Sequence, residues 1–203
     1  MKTFLLHSSL LLIFSVAVFA QAATPQGAPS QTTPPPAAQA NEAPPTVASV
    51  LDRSLSGVER EFVSAAEAMS EDKYGFAPTT GEFKGVRTFA EQVKHVAAVN
   101  YMVFAAMLGE KAPETGGENG PDSIKTKAEI VKYLKESFLL GHRALAGVTT
   151  ENLIQPIANP FGPRPVTRLA LGTTIIGHCF DHYGQMVVYL RMNGIVPPAS
   201  RGQ

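Results

Sequence analysis

His178 and His182 are the residues in this chain best suited to chemistry. They stand four apart in the run from Arg168 to Asn193, among apolar residues at three- and four-residue steps: Leu171, Ile175, Met186 and Tyr189. That spacing is a helix period, and side chains at i and i+4 lie on one helix face, one above the other. Two imidazoles therefore share the stripe that must build a core. A buried polar group needs a partner. One shared metal ion satisfies both rings at once, and so do hydrogen bonds from neighbouring side chains. The HxxxH spacing alone leaves both readings open. Gly194 then supplies a C-terminal stop, and Pro197 and Pro198 oppose any continuation of the helix.

Three further segments carry the same period and must position this one. Thr46 to Met69 shows Val50, Leu51, Leu55, Val58, Phe62, Ala65 and Ala66 on one face. Thr88 to Leu108 opens with Thr88 and Glu91 at the capping-box spacing, and its stripe is Phe89, Val93, Val96, Val99, Val103 and Met107. His95 lies beside that stripe, in line with Val99 and Met102. A third helix is expected from a cap at Asp122 or Ser123 to about Ala146, with Ile124, Ala128, Val131, Leu134, Phe138 and Leu145 inward and His142 near them. Thr167 caps the fourth. No stretch reads as an alternating strand, so the expected fold class is all-α, a four-helix bundle. The connection from Gly109 to Pro121 is long for a bundle, where two to eight residues is usual. At roughly 3.3 Å per residue it can cross the length of a helix, which permits the third helix to run parallel to the second.

The rest of the chain bounds what the domain can be. Met1-Lys2 followed by the apolar run Leu10 to Ala20, with small residues at Ala20 and Ala22, is a signal-peptide pattern, expected over residues 1–20. Residues 21–45 are mostly Ala, Pro, Gln and Thr and lack large apolar side chains, so they read as a disordered linker. Thr46 onward leaves about 155 residues, one domain, assigned as 46–203. The expected location is outside the cytoplasm, periplasmic or secreted, with no stable membrane span once the signal is cleaved. Lys plus Arg and Asp plus Glu balance at 17 each. Without a basic stripe, nucleic acid is a poor partner. A homodimer fits the sequence. Cys179 is the only cysteine, so no intramolecular disulfide forms. No Gly-rich phosphate loop, nucleophile elbow or serine or cysteine triad is present.

His7 belongs to the signal peptide, which leaves His95, His142, His178 and His182 at or beside inward stripes. His95 lies roughly 10 Å from the start of its helix and His182 roughly 17 Å from the end of the last. An antiparallel second and fourth helix places them at similar depth. His142 joins them if the third helix is antiparallel to the second, and stands roughly 15–20 Å away if the two are parallel.

The motif His178-x-x-x-His182-x-Gly184-Gln185, with Tyr189-Leu190-Arg191, Gly194 and Pro197-Pro198 after it, resembles the DinB/YfiT-like family of four-helix proteins. The block from Phe89 to Val96 carries a second match, and the resemblance covers about Val47 to Ser200. It implies an up-down-down-up bundle with a long crossover between helices 2 and 3. It also implies a divalent metal, zinc or nickel, on His95, His178 and His182, with His142 a bystander. Three neutral imidazoles leave a metal with an open position, as in catalytic rather than closed structural sites. Water bound to a three-histidine zinc can have a pKa of about 7, and the same position could take a thiolate. The resemblance therefore points to a metal-dependent hydrolase or thiol transferase acting on an unidentified small molecule. The alternative is a non-catalytic bundle that binds metal or a small ligand. Catalytic residues are unassigned. Cys179 reads as a buried inert thiol, Asp181 as a histidine-orienting carboxylate or a solvated charge, and Tyr183 and Gln185 as pocket or packing residues.

Overall fold

The structure is a computed structural model and describes residues 44–202. The expected signal peptide, and the linker up to residue 43, lie outside the described residues. Four helices dominate: α1 (Val47–Ala68), α2 (Phe89–Leu108), α3 (Lys127–Ala146) and α4 (Arg168–Met192). None of the described helices is long and apolar enough to cross a membrane.

Side-chain caps fix where the helices begin. Thr46 with Ser49, Thr88 with Glu91 and Thr126 with Glu129 each form a reciprocal capping box, and the Thr167 hydroxyl accepts from the Ala170 amide. The start of α3 corrects the sequence reading. Neither Asp122 nor Ser123 has a Glu or Gln three residues on, whereas Glu129 accepts from the amides of both Lys125 and Thr126. With the cap at Thr126, Ala128 is exposed and Val131 only half buried. The inward face is Ile130, Tyr133, Leu134, Ser137 and Phe138. Val50 is likewise exposed on α1. A two-residue antiparallel pair, β1 (Pro156–Ile157) with β2 (Val166–Thr167), closes the loop before α4. It is too short to show alternation.

Contacts between helices give their directions. Asn100 on α2 donates to the Ser137 hydroxyl on α3 at 3.1 Å, and Phe104 packs at Gly141, four residues further along both helices. So α2 and α3 run parallel, and residues 109–126 form the crossover. On α1, Asp52 meets His142 and Glu67 meets Lys135, which makes α1 antiparallel to α3. On α4, Arg168 reaches the Met107 carbonyl while His182 reaches Gln92, which makes α4 antiparallel to α2. The bundle is up-down-down-up.

Its centre is an apolar layer that includes Leu55, Phe62, Phe104, Phe138, Leu145 and Ile175, each at most 1% exposed. Gly141 lets three helices close. A Cβ there would lie 2.6 Å from a Phe104 ring carbon and 2.8 Å from a Leu55 methyl.

His142 lies on the α1–α3 face, with Nδ1 2.6 Å from Asp52 and Nε2 2.8 Å from Glu59. Burial opposes its charged form, but the two carboxylates outweigh that and raise its pKa above 6.5. A raised folded pKa contributes stability that is present below 6.5 and lost as pH rises through the folded value. The stability difference between the protein and His142→Gln should therefore shrink from pH 6 to pH 8.5 in urea titrations. A difference that grows or stays flat contradicts the ion triad.

Candidate metal centre

Antiparallel α2 and α4 bring His95, His178 and His182 together, one from the second helix and two from the fourth. One ring nitrogen from each lies within 4.8 Å of the others, and among the described residues no carboxylate or thiol joins that group. The His95 and His178 Nε2 atoms are 3.1 Å apart. The three ring centroids are separated by 4.5 to 5.1 Å, edge to face. Parallel α2 and α3 leave His142 on the other side of the bundle, outside the cluster.

Hydrogen bonds aim two of the rings. His95 Nδ1 donates to the Glu118 carbonyl at 2.6 Å, and His182 Nδ1 donates to Gln92 Oε1 at 2.5 Å. Each bond fixes the tautomer that leaves Nε2 with a free lone pair. Gln92 is itself held, because its amide donates to Gln185 Oε1 at 2.8 Å and Gln185 donates to Asp181 at 3.0 Å. So Asp181 reaches His182 only through two carboxamides. His178 has no outer partner, and its Nδ1 is buried without a hydrogen bond.

The electrostatics favour neutral rings. Burial pushes His178 and His182 down to about 4, helped by the neighbouring imidazoles, and burial also lowers His95. At neutral pH the site offers lone pairs rather than protons. Three lone-pair nitrogens facing one another repel unless a cation or shared proton lies between them. Nitrogens held about 2.0–2.1 Å from one tetrahedral zinc stand about 3.3 Å from each other. The 3.1 Å separation already matches that edge. The donor set therefore fits a divalent cation, and the three histidines could hold one.

A cavity of about 400 Å³ opens beside His95 and His178 and is walled by Val99, Val103, Leu171 and Ile175. Thr174, Asn159 and the Glu118 loop give it polar edges. Cys179 is fully buried, points to Asn100 at 3.5 Å, and has its thiol pushed up to about 12 by burial, so it is inert. Tyr183 packs on the core rather than at the histidines. The sequence reading missed Gln92 and the Glu118 carbonyl. Gln92 carried a signal, a polar residue three before His95 on a buried face. The Glu118 carbonyl depends on how the crossover folds back.

Gln92→Leu removes the acceptor that orients His182 and keeps the helix. Outer partners of this kind are worth 10–100-fold in metal affinity. We expect a loss of about tenfold or more in a competitive chelator titration, with helicity retained. Unchanged affinity would show that packing alone holds the ring.

Comparison with known proteins bears on the fold. No significant match was found among curated proteins. A conserved protein from Enterococcus faecalis shares the fold at TM-score 0.60 and 16% identity, covering 73% of this chain and 98% of that one. A DinB-like protein from Bacillus cereus aligns at TM-score 0.57 and 19% identity, over 73% of this chain and 93% of that one. A DinB-like protein from Bacillus subtilis aligns at 0.54 and 20%, over 71% and 92%. The family model of the DinB superfamily matches residues 54–186, a span that takes in most of the bundle and all three histidines, and the chain belongs to that superfamily.

Proposed function

We propose that the protein is an exported metal-dependent enzyme, a hydrolase or thiol transferase acting on a small molecule, with zinc or nickel on His95, His178 and His182. The observation that carries this reading is the convergence of three neutral imidazoles with no carboxylate or thiol in the group, beside an apolar cavity. Structural zinc sites are closed by four protein ligands, whereas catalytic ones keep a position open. A bound divalent metal lowers the pKa of a coordinated water or thiol and polarises a carbonyl.

The chain's own residues prepare that chemistry. Glu118 and Gln92 hold two rings with Nε2 inward. Val99, Val103, Leu171 and Ile175 exclude water and suit an apolar substrate body, and Thr174 and Asn159 offer polar contacts at the rim. Export rests on the N-terminal apolar run and its small residues.

The test is cobalt substitution. A site with an exchangeable position changes its visible spectrum on adding azide or a small thiol such as 2-mercaptoethanol. A spectrum unmoved by both would mean a closed site and favour the non-catalytic metal-binding bundle. A thiol response without an azide response would favour the transferase arm.

A further inference from the structure

Phe161 is a large apolar side chain that the fold keeps 49% exposed. A single exposed ring is ordinary on a protein surface. This one differs by its place. It stands on the loop 158–165 between β1 and β2 and borders the cavity that holds His95 and His178. The roots of that loop are fixed, since Ile157 pairs with Val166 and both pack against the core. Its tip is stiffened as well. Pro160, Pro163 and Pro165 each carry a locked φ, and the Phe161 amide donates to Asn159 Oδ1 at 3.0 Å. The loop therefore presents the ring at the cavity, and little backbone freedom remains to be lost when a ligand packs on it.

The cavity itself narrows what can enter. Val99, Val103, Leu171 and Ile175 form its apolar wall, and it holds about 400 Å³. A dry apolar cavity of about 150 Å³ binds benzene, so one ring fits with room for a polar group beside the histidines. Among the described residues no Lys or Arg lines it, and its one carboxylate is that of Glu118, an exposed residue without an ion pair. An anion would meet apolar walls and a like charge, with nothing on the wall to pair with it. A solvated carboxylate is in turn a weak anchor for a cation.

We propose that Phe161 selects the substrate, and that the non-reacting part of that molecule is an uncharged aromatic or branched aliphatic group packed against this ring. That the occupant is a substrate rests on the metal-site reading above. That the cavity takes such a group rests on its walls and on the Phe161 loop. Ring-on-ring packing, edge to face or offset, adds to the gain from burying apolar area, so an aromatic body gains most.

The experiment is fluorine NMR at pH 7 on the full chain and its Phe161→Ala and Phe161→Leu variants, each metal-free and cobalt-loaded, with metal content measured. The probes are 4-fluorobenzyl alcohol, 4-fluorobenzoate and 4-fluorobenzylammonium, which share one ring and differ in charge. Charge preference is read on the metal-free chain, so that no probe binds through a metal. The alcohol should bind the parent, and both ions at least about tenfold more weakly, since a charge against these walls is unpaired. Phe161→Ala should weaken the alcohol about three- to tenfold, and Phe161→Leu should weaken it less. In the cobalt-loaded chain the fluorine signal of the bound alcohol should shift with the paramagnetic ion, which places the ring beside the histidines. Absence of alcohol binding to the parent, equal binding by Phe161→Ala, or an ion that binds as tightly as the alcohol would each overturn the proposal. So would a bound alcohol whose signal ignores the loaded cobalt. A chain that takes up no cobalt yet binds the alcohol through Phe161 would fell the metal reading and leave the apolar site standing. Cobalt uptake without alcohol binding would do the reverse.

Discussion

His178→Ala should lower the affinity for a divalent metal by roughly a hundred- to a thousandfold, with the helical fold intact. A four-ligand zinc site is worth about 10–16 kcal/mol, so one ligand carries about 2.5–4 kcal/mol of it. His178 has no outer hydrogen bond, and its ring is placed only by packing and by its neighbours at the cluster. Its removal therefore breaks no hydrogen bond outside the cluster. It also removes a buried ring whose pKa is pushed down to about 4, so the metal-free variant should resist acid better than the metal-free parent. The sign follows from linkage. A depressed folded pKa means that stability is lost as pH falls from the unfolded value near 6.5 toward the folded one. Competition with a chromophoric chelator measures the first effect and urea midpoints between pH 4.5 and 7 the second. A variant that binds zinc as the parent does would remove His178 from the ligand set.

The second large effect belongs to the core. Phe104→Ala should cost about 3–5 kcal/mol, as burial of this size usually does, out of the 5–15 kcal/mol typical of a whole domain. Phe104 is fully buried where α1, α2 and α3 meet, and Gly141 has no side chain because that ring fills its space. Gly141→Ala alone gains about 1 kcal/mol of helix propensity and loses about 1–3 kcal/mol to overpacking, so overpacking wins narrowly. In the double variant the new methyl enters the space the ring has left. The two costs should then add to less than their sum, by about 1–2 kcal/mol, the range seen for residues in contact. Urea unfolding of the four proteins measures the cycle. Strict additivity would mean that the three helices do not meet at that point.

The parts legible in the sequence are those that local chemistry determines. Thr88 with Glu91, and the apolar period through α1, α2 and α4, state the helices almost residue by residue, and the histidine spacing on α4 states that two rings share a face. The length of the crossover permits a parallel course of α2 and α3 and the family resemblance implies it, and Asn100 against Ser137 with Phe104 against Gly141 bears it out. The start of α3 was misread because Asp122 and Ser123 are good caps in isolation, and only the reciprocal bond from Glu129 decides between them and Thr126. The support around the rings was hidden for a different reason. A backbone carbonyl such as that of Glu118 has no signature in composition. His142 lay near an inward stripe, yet its partners Asp52 and Glu59 come from a helix that no local pattern places beside it.

The most direct measurement of the account is the metal content of the untagged chain from Gln21 onward, beside His95→Ala and His178→Ala prepared identically. The account predicts about one equivalent of a divalent metal in the parent and its loss in both variants. No metal in the parent after incubation with zinc and with nickel, or equal metal in all three proteins, would contradict it.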